Sequence, residues 1–188
     1  MNKRVLVPLA DGFEEIETMT IVDILRRAQI DVTIASVGDK TVTGRSKVKV
    51  VADCNIDDAL KENPYDMIVL PGGLPNAYTL RDDKRVTEAV AKAHKEGRFV
   101  AAICAAPAVL QEAGVLTDAK ATNYPGVRSD LPEEIYVEKS VVESGKIITS
   151  RGPGTAMEFA LALVRKLAGI ETAGSVAKDV LAGFGIAG

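Results

Sequence analysis

Short apolar runs alternate along the chain with segments in which apolar residues recur every three or four positions. Several runs are apolar at nearly every position, which is typical of parallel strands covered on both faces of a sheet. Two shorter runs, Val48–Val51 and Val141–Val142, predict small antiparallel additions. The longer runs predict five strands, at Val5–Ala10, Val32–Val37, Met67–Leu70, Phe99–Cys104 and Ile147–Ser150.

Helical periodicity between the strands places apolar residues on one face of each segment. One such stripe contains Ile21 and Leu25, and another contains Val86 and Val90. A third segment, 159–167, is apolar over most of its circumference and is expected to be well buried. Strands that alternate with helices favour a doubly wound, mostly parallel α/β sheet.

The spacing of polar residues predicts where two helices begin. Asp11 and Glu14 have the spacing of a capping box before the first helix, and Thr155 and Glu158 have it before the apolar one. Gly169 follows that helix and predicts its end, because glycine is common just after a helix C-terminus.

Composition narrows the class of protein. A chain of 188 residues fits one domain, which we expect to span residues 1–188. The formal net charge of −3 is small and evenly spread, which argues against a nucleic-acid surface. No apolar run of about 18 residues predicts a membrane span, and the N-terminus lacks the pattern of a signal peptide. We therefore expect a cytoplasmic protein whose two cysteines are free thiols.

Cys104 lies where an apolar strand runs into small residues. Ala105 and Ala106 fit a sharp turn, and Pro107 suits the first turn of a helix. Strand, turn and helix form the elbow that presents a nucleophile in many enzymes, and a helix N-terminus favours a thiolate. The alternative is a buried structural cysteine, because cysteine is among the most buried residue types. The residues alone leave both interpretations open.

Gly72 and Gly73 follow the strand at Met67–Leu70. Such a pair lets the backbone turn with its N–H groups exposed, as an oxyanion site requires. An ordinary strand-to-helix turn explains the pair equally well. Beside an elbow cysteine the oxyanion site is the better interpretation, with the N–H groups of Gly73 and Ala105 converging.

Glu14, Glu15 and Glu17 lie at the start of the first helix, where acidic residues usually stabilise the helix N-terminus. A partly desolvated carboxyl group can instead stay protonated and hydrogen-bond a thiolate, and spacing does not choose among the three. Arg151, in the loop 149–155, can serve an anion or a dimer partner, or can be a solvated surface residue.

Other residue types count against several chemistries. His94 is the only histidine, and its place near a helix C-terminus favours capping over catalysis, which weakens a cysteine protease. No cluster offers zinc ligands and no nucleotide-binding loop is found, so the sequence predicts neither a metal nor a cofactor. Cys54 follows a strand without elbow features and is expected to be structural or incidental.

Four segments, in this order, resemble the ThiJ/PfpI superfamily, specifically its Parkinson-disease protein deglycase branch and the bacterial chaperone-like relatives. The resemblance covers nearly the whole chain. It implies a flavodoxin-like three-layer sandwich of the class I glutamine amidotransferase-like type, and a homodimer. The segments are Ala-Asp-Gly-Phe-Glu-Glu-Ile-Glu-Thr (10–18), Val-Leu-Pro-Gly-Gly (69–73), Ala-Ala-Ile-Cys-Ala-Ala-Pro (101–107) and Thr-Ser-Arg-Gly-Pro-Gly-Thr (149–155).

The resemblance also implies roles for individual residues. Cys104 matches the reactive cysteine, and Glu17 matches a glutamate that is protonated and donates a hydrogen bond to the sulfur. Gly72 and Gly73 match the oxyanion-binding turn, and Ala105 matches the residue after the nucleophile. Ready oxidation of Cys104 to a sulfinate is implied as well.

The implied activities are glyoxalase III-type conversion of methylglyoxal to lactate and removal of early aldehyde adducts from protein side chains. The expected partners are therefore a small aldehyde or a glycated side chain. Oxidative-stress sensing through Cys104 and holding-chaperone activity, both with little turnover, are the rival functions.

The chain departs from the family pattern at two positions. Tyr124 stands where some members carry a histidine near the cysteine, and a phenol is a poorer proton shuttle than imidazole at neutral pH. We therefore expect slow glyoxalase turnover, with Tyr124 and Arg151 among the substrate-binding residues. Ala105 stands where the protease branch has a histidine, which argues against a peptidase.

Overall fold

The computed structural model describes residues 2–62 and 64–183, and its centre is a seven-stranded sheet in the order β5-β2-β1-β6-β7-β9-β8. Every neighbouring pair is parallel except the antiparallel pair β8 and β9. In chain order the strands are β1 (Arg4–Leu9), β2 (Asp31–Ser36), β3 (Thr41–Thr43), β4 (Lys49–Val51), β5 (Cys54–Asn55), β6 (Met67–Leu70), β7 (Phe99–Ile103), β8 (Val141–Ser144) and β9 (Ile147–Ser150).

The five strands predicted from apolar runs are all present, with bounds shifted by at most one residue. Strand β7 ends at Ile103, so that Cys104 lies just beyond the sheet. Both predicted additions are antiparallel: β8 extends the main sheet, whereas β4 pairs with β3 in a separate hairpin. The short strand β5 was not predicted, because a two-residue strand leaves no periodic signal. Cys54 is the first residue of this strand.

Helices cover the sheet in two groups, which makes the molecule a three-layer α/β sandwich of the flavodoxin-like type. In one group α6 packs against α1 and α7; in the other α4 packs against α2, α3 and α5. None of the described helices has the length and apolar character needed to cross a bilayer. In chain order the helices are α1 (Glu15–Arg27), α2 (Ile56–Lys61), α3 (Asn76–Asp82), α4 (Lys84–Lys95), α5 (Pro107–Glu112), α6 (Ala156–Ala168) and α7 (Ile170–Asp179).

The core is centred on strands β1, β6 and β7, whose side chains are almost all buried. These strands are short and rich in valine, leucine and isoleucine, as expected for a sheet with helices on both faces. Their carboxyl ends meet at one edge of the sheet, where ligands usually bind in open α/β folds. The segments that follow them carry Gly72 and Cys104.

The helix starts differ from those predicted. Helix α1 is capped by Glu14, whose carboxylate accepts from the Glu17 N–H at 2.8 Å, while Asp11 accepts from the N–H of Thr43 at 2.7 Å. Thr155 precedes α6, but its side chain makes no capping hydrogen bond to the helix. Glu158, in the first turn of α6, accepts instead from the Ser140 hydroxyl at 2.8 Å. Both capping-box predictions are therefore wrong, because the polar groups found partners in other segments.

The predicted end of α6 is confirmed. Gly169 adopts a φ of 89°, a left-handed conformation that glycine reaches without a steric penalty.

Candidate active site

Cys104 occupies a strained elbow between β7 and α5. Its φ of 64° is in the left-handed region, which a residue with a side chain rarely adopts. The backbone is fixed on both sides, since Cys104 N–H donates to Ser150 at 3.0 Å and Cys104 C=O accepts from Tyr124 N–H at 2.9 Å. The predicted strand–turn–helix geometry is thus present. Strain held in place by neighbouring segments is a common property of functional sites.

Glu17 is the carboxyl group that meets this cysteine. It projects from the first turn of α1 and is fully buried, and its Oε2 accepts from Gly72 N–H at 2.8 Å. Its Oε1 is buried without an oxygen or nitrogen partner among the described residues, and its side chain interacts with the Cys104 thiol. Glu14 caps the helix and Glu15 accepts from the N–H of Ser46, so the structure selects Glu17 among the three.

Burial raises the pKa of Glu17 to about 7. The charge of Glu14 raises the pKa further, whereas the hydrogen bond with Cys104, the N–H of Gly72 and the charge of Arg45 lower it. A carboxyl group that loses most of its water keeps its proton more tightly, because the charged form is the one that hydration stabilises. Glu17 therefore carries a proton through the acidic range and releases it near neutrality.

The pKa of the Cys104 thiol is raised to about 12, chiefly by burial and then by the charge and hydrogen bond of Glu17. The N–H groups of Gly73 and Ala105 act in the opposite direction. Burial and Glu17 therefore oppose the thiolate, and the two N–H groups support it. Cys104 is only 9% exposed, and the N-terminus of the six-residue α5 does not outweigh that desolvation.

The two groups are best described as a pair that titrates in two steps. Because burial raises both pKa values, the pair keeps one proton after the first step, and either the carboxyl group or the sulfur can carry it. The Gly72 N–H favours the carboxylate, and the N–H groups of Gly73 and Ala105 favour the thiolate. A nucleophile and a proton donor are thus available from one buried pair.

A pocket of about 360 Å³ opens onto the sulfur. Gly73 and Ala105 line it beside Cys104, and Tyr124 lines its outer part with 46% of its surface exposed. The sequence-predicted residues Cys104, Gly73, Ala105 and Tyr124 therefore meet at one place, with Glu17 and Gly72 directly behind the sulfur. The full lining is Arg45, Gly73, Leu74, Cys104, Ala105, Tyr124, Gly126, Val127 and Pro153.

Other predicted residues lie elsewhere. Arg151 does not line the pocket and pairs with Glu138 at 3.0 Å, so its substrate-binding role stays a prediction. His94 is near the end of α4, and Cys54 is a half-buried free thiol in β5. Within the part of the chain that the structure describes, no three His, Cys, Asp or Glu side chains are grouped to hold a metal ion.

Five pocket residues were not predicted from the sequence: Arg45, Leu74, Gly126, Val127 and Pro153. Arg45 comes from the hairpin turn between β3 and β4, which is distant in sequence from Cys104. No local motif marks it. Only the tertiary packing of the hairpin against the start of α1 brings it to the pocket, through the bond from Arg45 N–H to the C=O of Phe13 at 2.9 Å.

Comparisons with known proteins find relatives that match most of this chain. The DJ-1/PfpI family model matches residues 3–166. Protein DJ-1 homolog B of Arabidopsis thaliana is 42% identical over 180 residues, which are 95% of this chain and 41% of that protein. The chain spans less than half the length of the two Arabidopsis relatives that it matches. Glutathione-independent glyoxalase DJR-1.2 of Caenorhabditis elegans is 34% identical over 178 residues, with 94% of each chain covered. A structure described as oxidized Toxoplasma gondii DJ-1 has a TM-score of 0.93 at 41% identity, covering 97% of this chain and 100% of that one.

Proposed function

The chain belongs to the DJ-1/PfpI family, and on that premise we propose that it is a cysteine-dependent enzyme acting on small reactive aldehydes. The observation that carries the proposal is the buried pair of Glu17 and Cys104, which holds one proton beside two backbone N–H groups in the wall of an open pocket. A family relative is named a glyoxalase. We therefore propose methylglyoxal as a substrate and lactate as its product.

The first step is addition of the thiol across the aldehyde. A bond forms between Cys104 Sγ and the aldehyde carbon, the C=O π pair moves to oxygen, and the proton of the pair passes to that oxygen. The product is a neutral hemithioacetal. The N–H groups of Gly73 and Ala105, which already interact with the sulfur, are the nearest donors for the negative charge that develops on oxygen.

The second step moves hydrogen within the adduct. The Glu17 carboxylate removes the proton from the former aldehyde carbon and returns one to the neighbouring keto carbon, while the hydroxyl proton passes to the former keto oxygen, which leaves a lactoyl thioester on Cys104. Water then hydrolyses the thioester to lactate and the free thiol. One methylglyoxal and one water give one lactate, so no oxidant is consumed. Tyr124 takes the place of an imidazole at the pocket, and we expect the proton transfers to be slow for that reason.

The test is lactate production from methylglyoxal by matched cysteine variants. Cys104→Ser is expected to abolish turnover, since an alcohol is a far weaker nucleophile than a thiol sharing a proton with Glu17. Cys54→Ser removes a half-buried thiol outside the pocket, and this variant is expected to retain lactate production. Undiminished turnover in Cys104→Ser contradicts the proposal. Early adducts on protein side chains are a second substrate class to assay with the same pair of variants.

A second function, oxidation sensing, is favoured by the N–H groups that interact with the sulfur. Two equivalents of peroxide convert the thiolate to a sulfenic acid and then to a sulfinate, releasing two molecules of water. A sulfinate carries charge on oxygen that fixed N–H donors stabilise. Mass spectrometry after mild peroxide is expected to find two added oxygens on Cys104 in preference to Cys54; equal oxidation of both thiols argues against this function.

We also propose a homodimer, as the family resemblance implies. The start of α1 and the adjoining hairpin carry exposed apolar side chains, with Ile16 57% and Val48 50% exposed. A hydrogen bond from Ser46 N–H to the Glu15 carboxylate, at 2.6 Å, connects these two segments. Exposed apolar groups on a rigid surface are typical of protein–protein contacts.

A further inference from the structure

Arg45 differs from the other arginines of the described chain in its partners. Its guanidinium has no carboxylate partner among residues 2–62 and 64–183, and it lines the pocket that leads to Cys104. Every other arginine there lies within ion-pair distance of an Asp or Glu side chain. Those paired arginines are Arg4, Arg26, Arg27, Arg81, Arg85, Arg98, Arg128, Arg151 and Arg165.

The backbone that carries Arg45 is fixed. Arg45 N–H donates to the C=O of Phe13 at 2.9 Å, and the next N–H, of Ser46, donates to Glu15 at 2.6 Å. The turn closes on itself through the bond from Gly44 N–H to the C=O of Val48 at 2.8 Å. The guanidinium is therefore held at the pocket by a turn that is tied to the helix bearing Glu17.

The pocket has one permanent charge among its lining residues, that of Arg45. The remaining lining residues are glycine, alanine, leucine, valine, proline, Tyr124 and Cys104. The charge of Arg45 is also felt inside the site, where it lowers the pKa of Glu17. Among the described lining residues, Arg45 is thus the one cationic side chain available to a molecule bound at Cys104.

We propose that Arg45 is a specificity-determining residue that directs this pocket toward aldehydes carrying an anionic group, a carboxylate or a phosphate, close to the carbonyl carbon. The proposal rests on the proposed function, because it names the substrate class of the same site. Guanidinium matches both groups, with paired N–H donors that fit two oxygens at once. The addition step is unchanged: sulfur bonds to the carbonyl carbon and the proton of the pair passes to the carbonyl oxygen, while the anionic group stays ionised against Arg45.

The test compares two alkylating agents of nearly the same shape, iodoacetate, which is anionic, and iodoacetamide, which is neutral. Their rates at Cys104 are measured by mass spectrometry, and the ratio of the two rates cancels any change in the ionised fraction of the thiol. Arg45→Gln is expected to lower the ratio of iodoacetate to iodoacetamide about fivefold, the size typical of one exposed charge pair. Cys54 of the same chain provides the internal reference.

Lys47→Gln is the matched control, because it removes the same charge from the same turn at a residue outside the pocket lining. A ratio that falls in Arg45→Gln and holds in Lys47→Gln supports the proposal. A ratio that is unchanged in Arg45→Gln, or that falls equally in both variants, overturns it. Arg45→Lys keeps a charge and is expected to keep most of the preference; a loss as large as in Arg45→Gln contradicts the assignment to charge.

A second measurement distinguishes the two anionic groups. Glyoxylate, glycolaldehyde phosphate and neutral glycolaldehyde are each tested for slowing iodoacetamide at Cys104 through reversible hemithioacetal formation. One or both anionic aldehydes are expected to protect better than glycolaldehyde, and to lose that advantage in Arg45→Gln; equal protection by all three overturns the proposal. Neither measurement requires turnover. Failure of lactate production therefore counts against the proposed function alone, and an unchanged rate ratio counts against Arg45 alone.

Discussion

Gly72 shows how closely the parts of the site approach one another. A Cβ atom at this position would lie 2.6 Å from Cys104 Cβ and 2.6 Å from Glu17 Oε2. Its φ is not in the left-handed region, so the requirement for glycine is one of space. Its N–H meanwhile donates to Glu17 at 2.8 Å. A single missing side chain thus allows the acid and the sulfur to interact.

Replacing Gly72 by alanine is expected to separate this pair. We expect a loss of about 2 kcal/mol or more in the free energy of unfolding, from overpacking in a rigid interior, together with slower alkylation of Cys104. Gly38→Ala is the matched control, because a Cβ there meets nothing within 4 Å, and it is expected to stay within about 0.5 kcal/mol. Urea unfolding measures both, and equal losses in the two variants contradict the steric argument.

Glu17 is expected to make stability depend on pH. The folded state holds the carboxyl proton up to about pH 7, whereas the unfolded chain releases it near the ordinary glutamate pKa of 4.5. Between these values the folded state binds more protons, so this contribution is fully present below pH 4.5 and is lost as pH rises through 7. The loss amounts to about 3 kcal/mol.

Glu17→Gln removes that titration. The variant is expected to lose less stability than the native chain when urea unfolding is compared at about pH 4.5 and about pH 8, because an amide has no proton to release. The difference between the two proteins isolates Glu17 from other carboxyl groups. Parallel pH profiles of the native chain and the variant would show that the buried carboxyl group does not titrate as described.

At the scale of single residues, the sequence predicted the residues at the centre of the candidate site and missed Arg45 at the pocket. Cys104 was marked by its elbow pattern, and Glu17 was chosen from three glutamates through the family resemblance rather than by spacing. Arg45 carries no local signal, because its place depends on how a hairpin turn packs on α1. The burial that raises the pKa of the Cys104 thiol also carries no local signal, since it depends on the whole fold and not on neighbouring residues.

At the scale of single elements, the start of α1 combines a structural and an electrostatic role. Glu14 accepts from the N–H of Glu17, and its charge raises the pKa of the same residue. The spacing rule assigned the capping to Asp11 instead, but Asp11 is bound to Thr43 of the hairpin. Local propensity predicted that a cap exists here, and tertiary contacts decided which acidic residue provides it.

Glu14→Ala is expected to cost about 1 kcal/mol in the free energy of unfolding, because the helix loses its capping acceptor. The pKa of Glu17 should fall in the same variant, since a neighbouring negative charge has been removed. Glu158→Ala is the contrast, because its bond is to Ser140 in an exposed position and not to the helix N-terminus; we expect a change below about 0.5 kcal/mol. If Glu158→Ala lowered the free energy of unfolding more than Glu14→Ala, the result would support the capping box predicted for α6.

At the scale of the whole molecule, the alternation of apolar runs and helical stripes was enough to predict the fold class. The resemblance to the ThiJ/PfpI superfamily is confirmed by the family match over residues 3–166 and by the solved structures. What sequence did not supply was the order of the strands and the two-residue β5, because strand pairing is a long-range property.

The proposed dimer leads to a prediction at this scale. Ile16→Glu places a charge among the exposed apolar side chains at the start of α1 and is expected to shift the protein from dimer to monomer. Leu60→Glu, on α2, is the matched control and should leave the mass unchanged. Light scattering after size-exclusion chromatography measures the mass. A native chain that is already monomeric, or a variant that stays dimeric, rules out this surface.

The two edge strands of the main sheet affect how readily another chain can pair with it. One end is the two-residue β5 and the other is the antiparallel β8, whose Glu143 is paired with Arg165 and Lys166. Neither offers a long, flat row of free backbone groups for another chain to extend. Edge-to-edge pairing of the main sheet with another copy of the chain is therefore disfavoured by the short strand at one end and the ion-paired strand at the other.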